Sequence, residues 1–579
     1  MRAIILMFDS LNRRMVPPYV DEARLPNFAR LAARTVAFEN FYAGSMPCMP
    51  ARREMHTGRH NFLHRSWGPL EPFDDSMPEI LGKAGVHTHL ASDHQHYWED
   101  GGATYHTRYS TWEFFRGQEG DPWKGVVDRV DPRQNPIVRM RSQDEVNRAH
   151  MATEATHSQT RTVDAGLEFL AANAEADRWM LQLELFDPHE PFFAAARFRE
   201  ARGLSGDATF DWPPYQRVTE GDDDVASARE EYLALLEMCD HSLGRVLDAM
   251  DEQGLWDDTM LIVNTDHGYM LGERGWWAKS FQPWYNELVH LPMYLWDPRG
   301  GRRGDRDDRL ARTIDIPATV LDFFGVDATP DMQGQPLASS EDAPASTLFG
   351  KHGDHVNITD GRYVYMRSAV SPENAPLEEF TLMPTHMRWR FSPDELAEWE
   401  PAEAFSFTKG LRTMRIPVAS AWLTSWRHGT MLFDLESDPD QREPLADDAA
   451  ELRMVRLLVD ALRAEDAPAS QFERLGLPAT GPVEGRHLLA RAHRDRAQEI
   501  ADPLPRVDEL AAPDLLTMPL RALLLDPPLS EVVRRHAPEL VGSELVGIAP
   551  DASLLSIAAR AGISSRAFRA LDRDLAAAG

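Results

Sequence analysis

The stretch Thr259–Gly268 (TMLIVNTDHG) decides how the chain folds, because a short apolar run ends there in an acid and a histidine. A run of this length bounded by polar residues is typical of a buried β-strand. The chain begins in the same way, since Arg2–Phe8 is apolar and Asp9 follows it directly. Such runs alternate with helical patterns such as Ala226–Gln253, which predicts a large, mostly parallel α/β sheet flanked by helices.

Two more apolar runs end in acids and histidines. They are Val86–Ala91, followed by Asp93, His94 and His96, and Trp179–Phe186, followed by Asp187 and His189. A single aspartate after a strand is most often a helix cap or a turn former. Four such ends in one chain are harder to explain as caps alone. In open α/β sheets, ligands bind at the carboxyl ends of the strands. We therefore expect these polar residues to converge on one pocket.

Cys48 is predicted to lie beside this pocket, at the start of a helix. In Ser45–Arg52 (SMPCMPAR), Pro50 suits a first helical turn, and Gly58 supplies a stop. The free N–H groups and the dipole at a helix N-terminus lower the pKa of a thiol and attract an oxyanion. The alternative is that Cys48 is a small buried apolar residue.

The composition is that of a globular protein, with 43% hydrophobic and 26% charged residues. The formal net charge of −31 argues against non-specific binding to nucleic acid or to an anionic membrane. Two cysteines cannot form a disulfide framework, and the run Arg2–Phe8 is too short for a secretory or membrane-spanning segment. We therefore expect a cytoplasmic protein.

The length of 579 residues predicts more than one domain. We expect a catalytic α/β domain over residues 1–335 and a smaller antiparallel α+β subdomain over 336–448. A helical tail over 449–579 is expected to pack or to form a homo-oligomer. Three further segments are interpreted as an irregular insertion that shapes a pocket (Thr104–Gln143), a helix (Ala149–Ala174) and a charged loop (Gly300–Arg309).

Asp9, Asp266 and His267 supply oxygen and nitrogen donors suited to a divalent cation. Carboxylates favour Ca²⁺, Mg²⁺ or Mn²⁺, and the imidazole also admits Mn²⁺ or Zn²⁺. We expect one such ion, Ca²⁺ in the first place. The ion would neutralise an anionic ester and hold the nucleophile against its electrophilic centre.

Positive charge for the developing negative oxygens is expected from Arg52, Lys279 and Lys351. Only five of the 61 basic residues are lysines, so a lysine kept in this chain is a candidate for a function that needs a compact charge. A plain surface lysine is the alternative for each of them.

Histidines are the candidates for proton transfer to the departing alkoxide or phenoxide. His189 is expected to act with His94 or His96, because an imidazole titrates near neutrality and suits a general acid. We also assign His94 and His96, together with Lys351, to substrate binding.

Together these motifs resemble those of the type I sulfatases, a branch of the alkaline phosphatase superfamily. Cys48-x-Pro50-x-Arg52 is similar to the signature C-x-P-[SA]-R, in which a maturation enzyme oxidises the cysteine to formylglycine. Further segments that match in the family's order are the strand before Asp9, Thr57–Arg59, Asp187-Pro188-His189-x-Pro191, Asn264–Gly268, and Ala278-Lys279 ahead of Tyr285–Glu287.

The resemblance implies an alkaline-phosphatase-like fold and hydrolysis of a small sulfate ester. It implies a metal-held formylglycine hydrate at position 48, formed by a formylglycine-generating enzyme, with Arg52 and Lys279 as its supports. One hydroxyl of the hydrate attacks sulfur and the alcohol leaves. The second hydroxyl then collapses to the aldehyde and expels sulfate.

The chain departs from many arylsulfatases in ways that leave a second function open. It has Asp9-Ser10 instead of two early acids, Asp266-His267 instead of Asp-Asn, and Asp93–His96 instead of Gly-Lys-x-His. An Asp-His pair with a single early acid is similar to the phosphonate monoester hydrolases and phosphodiesterases of the same branch. A non-catalytic or transferase relative is a third alternative, and the intact Cys48 motif argues against it.

Overall fold

The computed structural model describes residues 1–579 except 22–23, 132–135, 207–209, 339–342, 419–424, 538–551 and 561–562. The described strands are β1 (Arg2–Phe8), β2 (Val36–Tyr42), β3 (His87–Ser92), β4 (Thr111–Phe114), β5 (Trp179–Leu185), β6 (Thr259–Thr265), β7 (Met270–Leu271), β8 (Trp277–Ala278), β9 (Tyr294–Trp296), β10 (Asp305–Arg312), β11 (Thr347–Gly350), β12 (Val356–Thr359), β13 (Tyr363–Arg367), β14 (Glu378–Thr381), β15 (Glu400–Pro401), β16 (Met414–Pro417) and β17 (Met431–Asp434).

The described α-helices are α1 (Pro26–Arg34), α2 (Cys48–Thr57), α3 (Met77–Lys83), α4 (Ala103–His106), α5 (Pro136–Arg148), α6 (Ser158–Ala172), α7 (Ala196–Ala201), α8 (Asp222–Glu252), α9 (Asn286–Val289), α10 (Asp315–Phe323), α11 (Ser425–His428), α12 (Asp448–Ala464), α13 (Ala469–Leu475), α14 (Ala490–Ala501), α15 (Pro513–Thr517), α16 (Leu520–Leu523), α17 (Pro527–His536), α18 (Leu554–Arg560) and α19 (Ser565–Ala578).

The main sheet has the strand order β10-β2-β9-β6-β1-β5-β3-β4. Only β9 runs antiparallel to its neighbours, so the predicted large, mostly parallel sheet is confirmed. The four strands with polar ends, β6, β1, β5 and β3, are adjacent in this order. In the register, Phe8 of β1 is level with Leu185 of β5 and Thr265 of β6, so these three strands end at the same height.

Both faces of the sheet are covered by helices, as expected for a sheet with a buried central strand. On β1, Ile4, Leu6 and Phe8 pack into a core with α1, α6 and α8. The alternating residues of β1 point to the other face and pack with α2, α3 and α10. This alternation follows from the two-residue period of a strand.

A second, antiparallel sheet with the order β11-β12-β13-β17 packs against α12 and α13. Its first strand is joined directly to the loop in front of Cys48. The Gly350 backbone N–H donates to the Gly44 carbonyl (2.9 Å), and the Met46 N–H donates to the Gly350 carbonyl (2.8 Å). The predicted small antiparallel unit is therefore present, and its edge fixes the Cys48 loop; the domain boundaries stay a prediction.

The tail forms a helical core of its own, with residues from α15 to α19. It contacts the catalytic part through Arg217, whose Nη1 donates to the Ile563 carbonyl (2.9 Å). Its predicted role in oligomerisation stays a prediction. Among the described residues, every helix is too short or too polar to cross a bilayer.

Three local predictions need correction. The charged segment around Gly300–Arg309 is not entirely a loop, because β10 pairs parallel with β2 at the sheet edge. The charged side chains of β10 pair with one another at this edge, for example Arg309 with Asp307 (2.7 Å). An edge strand of this kind therefore does not need the apolar pattern of a buried strand. Thr104–Gln143 contains β4 and the start of α5, and the helix predicted from Ala149 begins only at Ser158.

Replacing Leu6 by alanine should reduce the free energy of unfolding by about 2–5 kcal/mol, because it leaves a cavity in the middle of the sheet. Leu6 is fully buried, whereas Leu525 is 84% exposed. Leu525→Ala is therefore the matched control and should change stability by less than about 0.5 kcal/mol. Chemical denaturation of both variants checks this, and equal effects would contradict the assignment of β1 to the core.

Candidate active site

The residues predicted to bind metal lie together at the carboxyl end of the sheet. Ligand atoms of Asp9, Cys48, Asp266 and His267 all lie within 4.8 Å of one another, and all four side chains are buried. Cys48 Sγ is 3.2 Å from His267 Nε2. The predicted convergence is therefore confirmed for these residues, which come from three separate segments of the chain.

The loop before Cys48 is held by the buried carboxylate of Glu54 on α2. Ser45 donates to Glu54 Oε1 through its N–H (2.6 Å) and its hydroxyl (2.5 Å), and Thr313 Oγ1 donates to Oε2 (2.7 Å). A Cβ at Gly44 would lie 2.4 Å from this carboxylate, so the close approach requires glycine. The hydrogen bonds to Glu54 and the close approach of Gly44 to its carboxylate thus fix the loop that leads to Cys48.

The predicted lowering of the thiol pKa is wrong. Burial raises the pKa of Cys48 well above its usual value, and the negative charges of Asp9 and Asp266 add to the effect. Lys279 and Arg52 act in the opposite direction but do not compensate. The dipole at the helix start favours a thiolate, but the free-energy cost of a thiolate beside two carboxyl groups and away from water is larger.

The Arg52 guanidinium forms ion pairs with three acidic side chains, two of which belong to this cluster. Its Nη2 is 3.0 Å from Asp9 Oδ2, its Nη1 2.7 Å from Asp266 Oδ2, and its Nε 2.7 Å from Glu184 Oε1. Glu184 also accepts a hydrogen bond from Tyr97 (2.7 Å). Because the guanidinium is engaged in this way, it orients the carboxylates of the cluster.

Glu184 was not predicted from the sequence, although a signal for it was present. It is an acid inside the apolar run of β5, and a buried charge of that kind needs a partner. Ser10 was also missed as a contributor; its hydroxyl donates to Asp9 Oδ1 (2.8 Å).

The two carboxyl groups of the cluster differ in ionisation. Burial raises the pKa of Asp9, but the charges of Lys279 and Arg52, together with the hydrogen bond from His94, outweigh burial and bring it well below the usual value. Burial and the neighbouring Asp9 raise the pKa of Asp266 to about 8. Two close carboxyls thus share one negative charge, and a divalent cation would replace the proton between them.

The donor set therefore fits a divalent cation. Two carboxylates and one imidazole are common ligands of Ca²⁺, Mg²⁺, Mn²⁺ and Zn²⁺, and an oxygen at position 48 would complete an oxygen-rich set. Asp9, Asp266, His267 and residue 48 would hold the ion.

Lys279 lies at the centre of the site. Its Nζ donates to Ser10 Oγ (3.0 Å) and to Cys48 Sγ (3.4 Å). Burial lowers its pKa, but the surrounding acids, Asp9 first among them, more than compensate, so it stays protonated. Its neighbours Ala278 and Ser280 have φ values of 60° and 91°. Such left-handed backbone in non-glycine residues is unfavourable and is found where a side chain must be held in place.

His94 and His96 are both brought to this pocket. His94 Nε2 is 3.2 Å from Asp9 Oδ2, and the rings of the two histidines are 4.9 Å apart. His96 Nδ1 is 2.6 Å from Glu99 Oε2. Burial, followed by Arg52, lowers the pKa of His94 to about 3, and burial with Arg388 lowers that of His96 well below its usual value.

His189 is buried close to the charges of Lys279 and Asp9. Its Nδ1 donates to the Glu190 carbonyl (2.6 Å), because a carbonyl oxygen can only accept. Burial and then Lys279 lower the pKa of His189 well below its usual value. The expectation of titration near neutrality is therefore wrong for this site as it stands, because the histidines are buried beside cations.

The remaining predicted residues lie outside the cluster. Lys351 donates to the Ser280 carbonyl and is 3.8 Å from Asp354, and within the described part of the chain it makes no hydrogen bond or ion pair with Cys48 or Asp9. It supports the loop that carries Lys279. Two acids after the strands, Asp93 and Asp187, are bridged by the amide of Gln118 (3.1 and 3.3 Å) and link β3 to β5.

The family model described as Sulfatase matches residues 2–326. The chain belongs to the sulfatase family of sulfuric ester hydrolases. A choline-sulfatase from Rhizobium meliloti is 23% identical over 416 residues, which cover 64% of this chain and 78% of that protein. An arylsulfatase from Clostridium perfringens is 23% identical over 374 residues, which cover 57% of this chain and 76% of that protein.

Solved structures share the fold of this sulfatase. The phosphonate monoester hydrolase of Agrobacterium radiobacter superposes with a TM-score of 0.55 and 17% identity, covering 83% of this chain and 99% of that one. A structure in complex with its substrate D-glucosamine-2-N,6-O-disulfate gives a TM-score of 0.55 and 14% identity, with 81% and 98% covered. At these identities the likeness shows the fold alone.

Replacing Asp266 by asparagine should weaken binding of the divalent cation at least about 100-fold, because one anionic ligand is lost. Asp187→Asn is the matched control: Asp187 is also buried after a strand, but burial and Asp93 raise its pKa well above the usual value, so asparagine replaces a neutral carboxyl. Metal content after dialysis, measured by mass spectrometry, checks this. An Asp266→Asn protein that keeps its metal would contradict the ligand assignment.

Proposed function

We propose that this sulfatase hydrolyses small sulfate monoesters through a formylglycine formed from Cys48. The observation that carries the proposal is the position of Cys48 Sγ, which contacts both His267 Nε2 (3.2 Å) and Lys279 Nζ (3.4 Å) inside a group of side chains that could hold a metal ion. The raised pKa of the Cys48 thiol supports it further, because an unmodified cysteine in this place would be a poor nucleophile. Maturation would require a formylglycine-generating enzyme as a partner.

The hydrated formylglycine supplies a hydroxyl group as the nucleophile towards sulfur. The divalent cation, when bound, neutralises the anionic ester and acidifies that hydroxyl. Lys279 places its ammonium group beside residue 48 and stabilises negative charge on the sulfate oxygens. Arg52 is a positioning residue in this scheme, since its guanidinium keeps Asp9 and Asp266 in one arrangement.

His189 is the proposed proton donor to the departing alkoxide. Its Nδ1 is committed to the Glu190 carbonyl, which leaves Nε2 for the proton transfer. An anionic ester bound beside it would favour the protonated imidazole, because an opposite charge raises the pKa of a histidine. His94 and His96 line the same pocket and are proposed to contact the substrate.

Hydrolysis of phosphonate monoesters or phosphodiesters is the second candidate. It is favoured by the single acid at the first strand end, where Ser10 follows Asp9, together with the Asp266-His267 pair. A solved phosphonate monoester hydrolase shares the fold over most of both chains, which is compatible with this candidate without favouring it.

Cys48→Ala should fold normally and lower the turnover of 4-nitrophenyl sulfate at least about 10³-fold, because the nucleophile is lost. The control is Cys239→Ala, which removes the other cysteine, buried on α8, and should keep its activity. Peptide mass spectrometry of the protein without substitutions should find formylglycine at position 48. Retained turnover in Cys48→Ala would refute the proposal.

The ratio of kcat/KM for 4-nitrophenyl sulfate over the 4-nitrophenyl ester of phenylphosphonate should exceed about ten for a sulfatase. Both substrates release the same phenolate, so the ratio compares sulfur with phosphorus at one leaving group. A ratio below one, measured on metal-replete protein with formylglycine in place, would make the second candidate the main activity.

A further inference from the structure

The two-residue strand β8, which leads directly into Lys279, has neighbours on both of its edges. On one edge it pairs antiparallel with β7. On the other edge the Trp277 N–H donates to the Gln216 carbonyl (3.0 Å), and the Val218 N–H donates to the Gly275 carbonyl (2.8 Å). Because an isolated pair of short strands is at best marginally stable, this second neighbour stabilises the backbone that carries Lys279.

The helical tail binds this second neighbour, residues 216–219. The Arg217 side chain is fully buried, its Nη1 donates to the Ile563 carbonyl (2.9 Å), and its Nη2 donates to the Asp502 carbonyl. The Val507 N–H donates to the carbonyl of the last residue of the segment (2.9 Å). Three parts of the tail therefore meet on the segment that supports β8.

The Arg217 guanidinium is buried without an acid in contact with it. Among the described residues it forms no ion pair, and burial lowers the pKa of Arg217 to about 10, so it stays charged at neutral pH. Burying such a cation is costly, whereas apolar side chains would be enough to pack the tail. A planar guanidinium, however, fixes the direction of the groups it binds. It also lies 5.6 Å from the ring of Trp276, the residue in front of β8.

The backbone around Lys279 needs support of this kind. Ala278 and Ser280, on either side of it, have left-handed φ values of 60° and 91°. Each such residue costs about 1–3 kcal/mol and persists only where the surrounding structure holds it. If the contacts on one edge of β8 were lost, this backbone would relax, and the Lys279 ammonium would move away from Cys48 Sγ, which is now 3.4 Å from it.

We propose that the helical tail is part of the catalytic unit, in which Arg217 links it to β8 and so holds the Lys279 ammonium beside residue 48. Arg217 is thus a positioning residue that acts through Lys279. The inference rests on the proposed function, in which Lys279 stabilises negative charge on the sulfate oxygens. A tail that only packs, or only joins two chains, is the competing role.

Arg217→Gln should lower kcat for 4-nitrophenyl sulfate at least about tenfold, with a smaller change in KM, because displacing a catalytic charge acts mainly on the transition state. Arg217→Lys keeps a charged donor and should retain more activity. Arg367→Gln is the matched control, because Arg367 is also buried and donates to the Leu475 (2.8 Å) and His487 (2.6 Å) carbonyls. It should reduce stability without a comparable loss of kcat. Equal losses of kcat in the two glutamine variants would contradict the proposal.

A double-mutant cycle with Lys279→Ala separates positioning from a general loss of structure. If Arg217 acts through Lys279, Arg217→Gln should change kcat/KM by less than about twofold once the lysine is absent. The same tenfold loss in both backgrounds would overturn the proposal. Metal and formylglycine contents should be equal in all four proteins. A lower content in Arg217→Gln would mean that Arg217 acts on another part of the site, against the proposal.

Hydrogen exchange followed by mass spectrometry tests the link without any substrate. The amides of residues 275–282 should exchange faster in Arg217→Gln and in Val507→Pro, and at the original rate in Arg367→Gln. Val507→Pro removes the N–H that donates to the Thr219 carbonyl and leaves the buried charge in place. Val507 is the first residue of a short 3₁₀ helix, a position that accepts proline.

Unchanged exchange in either Arg217→Gln or Val507→Pro would overturn the proposal. If 4-nitrophenyl sulfate is not hydrolysed by enzyme that contains formylglycine, the proposed function fails, and the exchange comparison still decides whether the tail holds the backbone around Lys279.

Discussion

The ion network around Arg52 is the constraint on which the rest of the site depends. One buried guanidinium lies against three carboxyl groups from three adjacent strands: Asp9 after β1, Glu184 within β5 and Asp266 after β6. Removing one partner from a buried network of this kind leaves a charge without compensation, which costs about 3–5 kcal/mol. The network therefore joins helix α2, which carries Cys48, to the centre of the sheet and fixes the position of Cys48 relative to Asp9 and Asp266.

The second sheet extends this constraint to the loop before Cys48. Gly350 forms two backbone hydrogen bonds with that loop, through Gly44 and Met46, and Glu54 holds the loop from the side of α2. A part of the chain some 300 residues away thus determines where residue 48 sits. The same region contributes Lys351, which supports the Lys279 loop, and Arg388, which reaches the outer edge of the pocket.

Electrostatics in the pocket are governed by burial and by pairing with particular neighbours. The same low-dielectric surroundings raise the pKa of Cys48 and Asp266 and lower those of His94 and His189. In each case the neutral form is favoured, because no water solvates the charge. Asp9 departs from this pattern, since the charges of Lys279 and Arg52 face it and keep it ionised. An anionic ester and a divalent cation would together supply the charges that the neutral residues lack.

The sequence by itself determined the fold class, the strands that carry polar ends, and the cluster of Asp9, Cys48, Asp266 and His267, whose side chains could hold a metal ion. These follow from local patterns: an apolar run followed by polar residues specifies a strand end, and adjacent parallel strands bring their ends together. Only the tertiary structure decided which polar residues face each other. Arg52 lies against three acids and Lys351 lies outside the cluster, because pairing between residues far apart in sequence and the loss of water on burial have no signature in a local pattern.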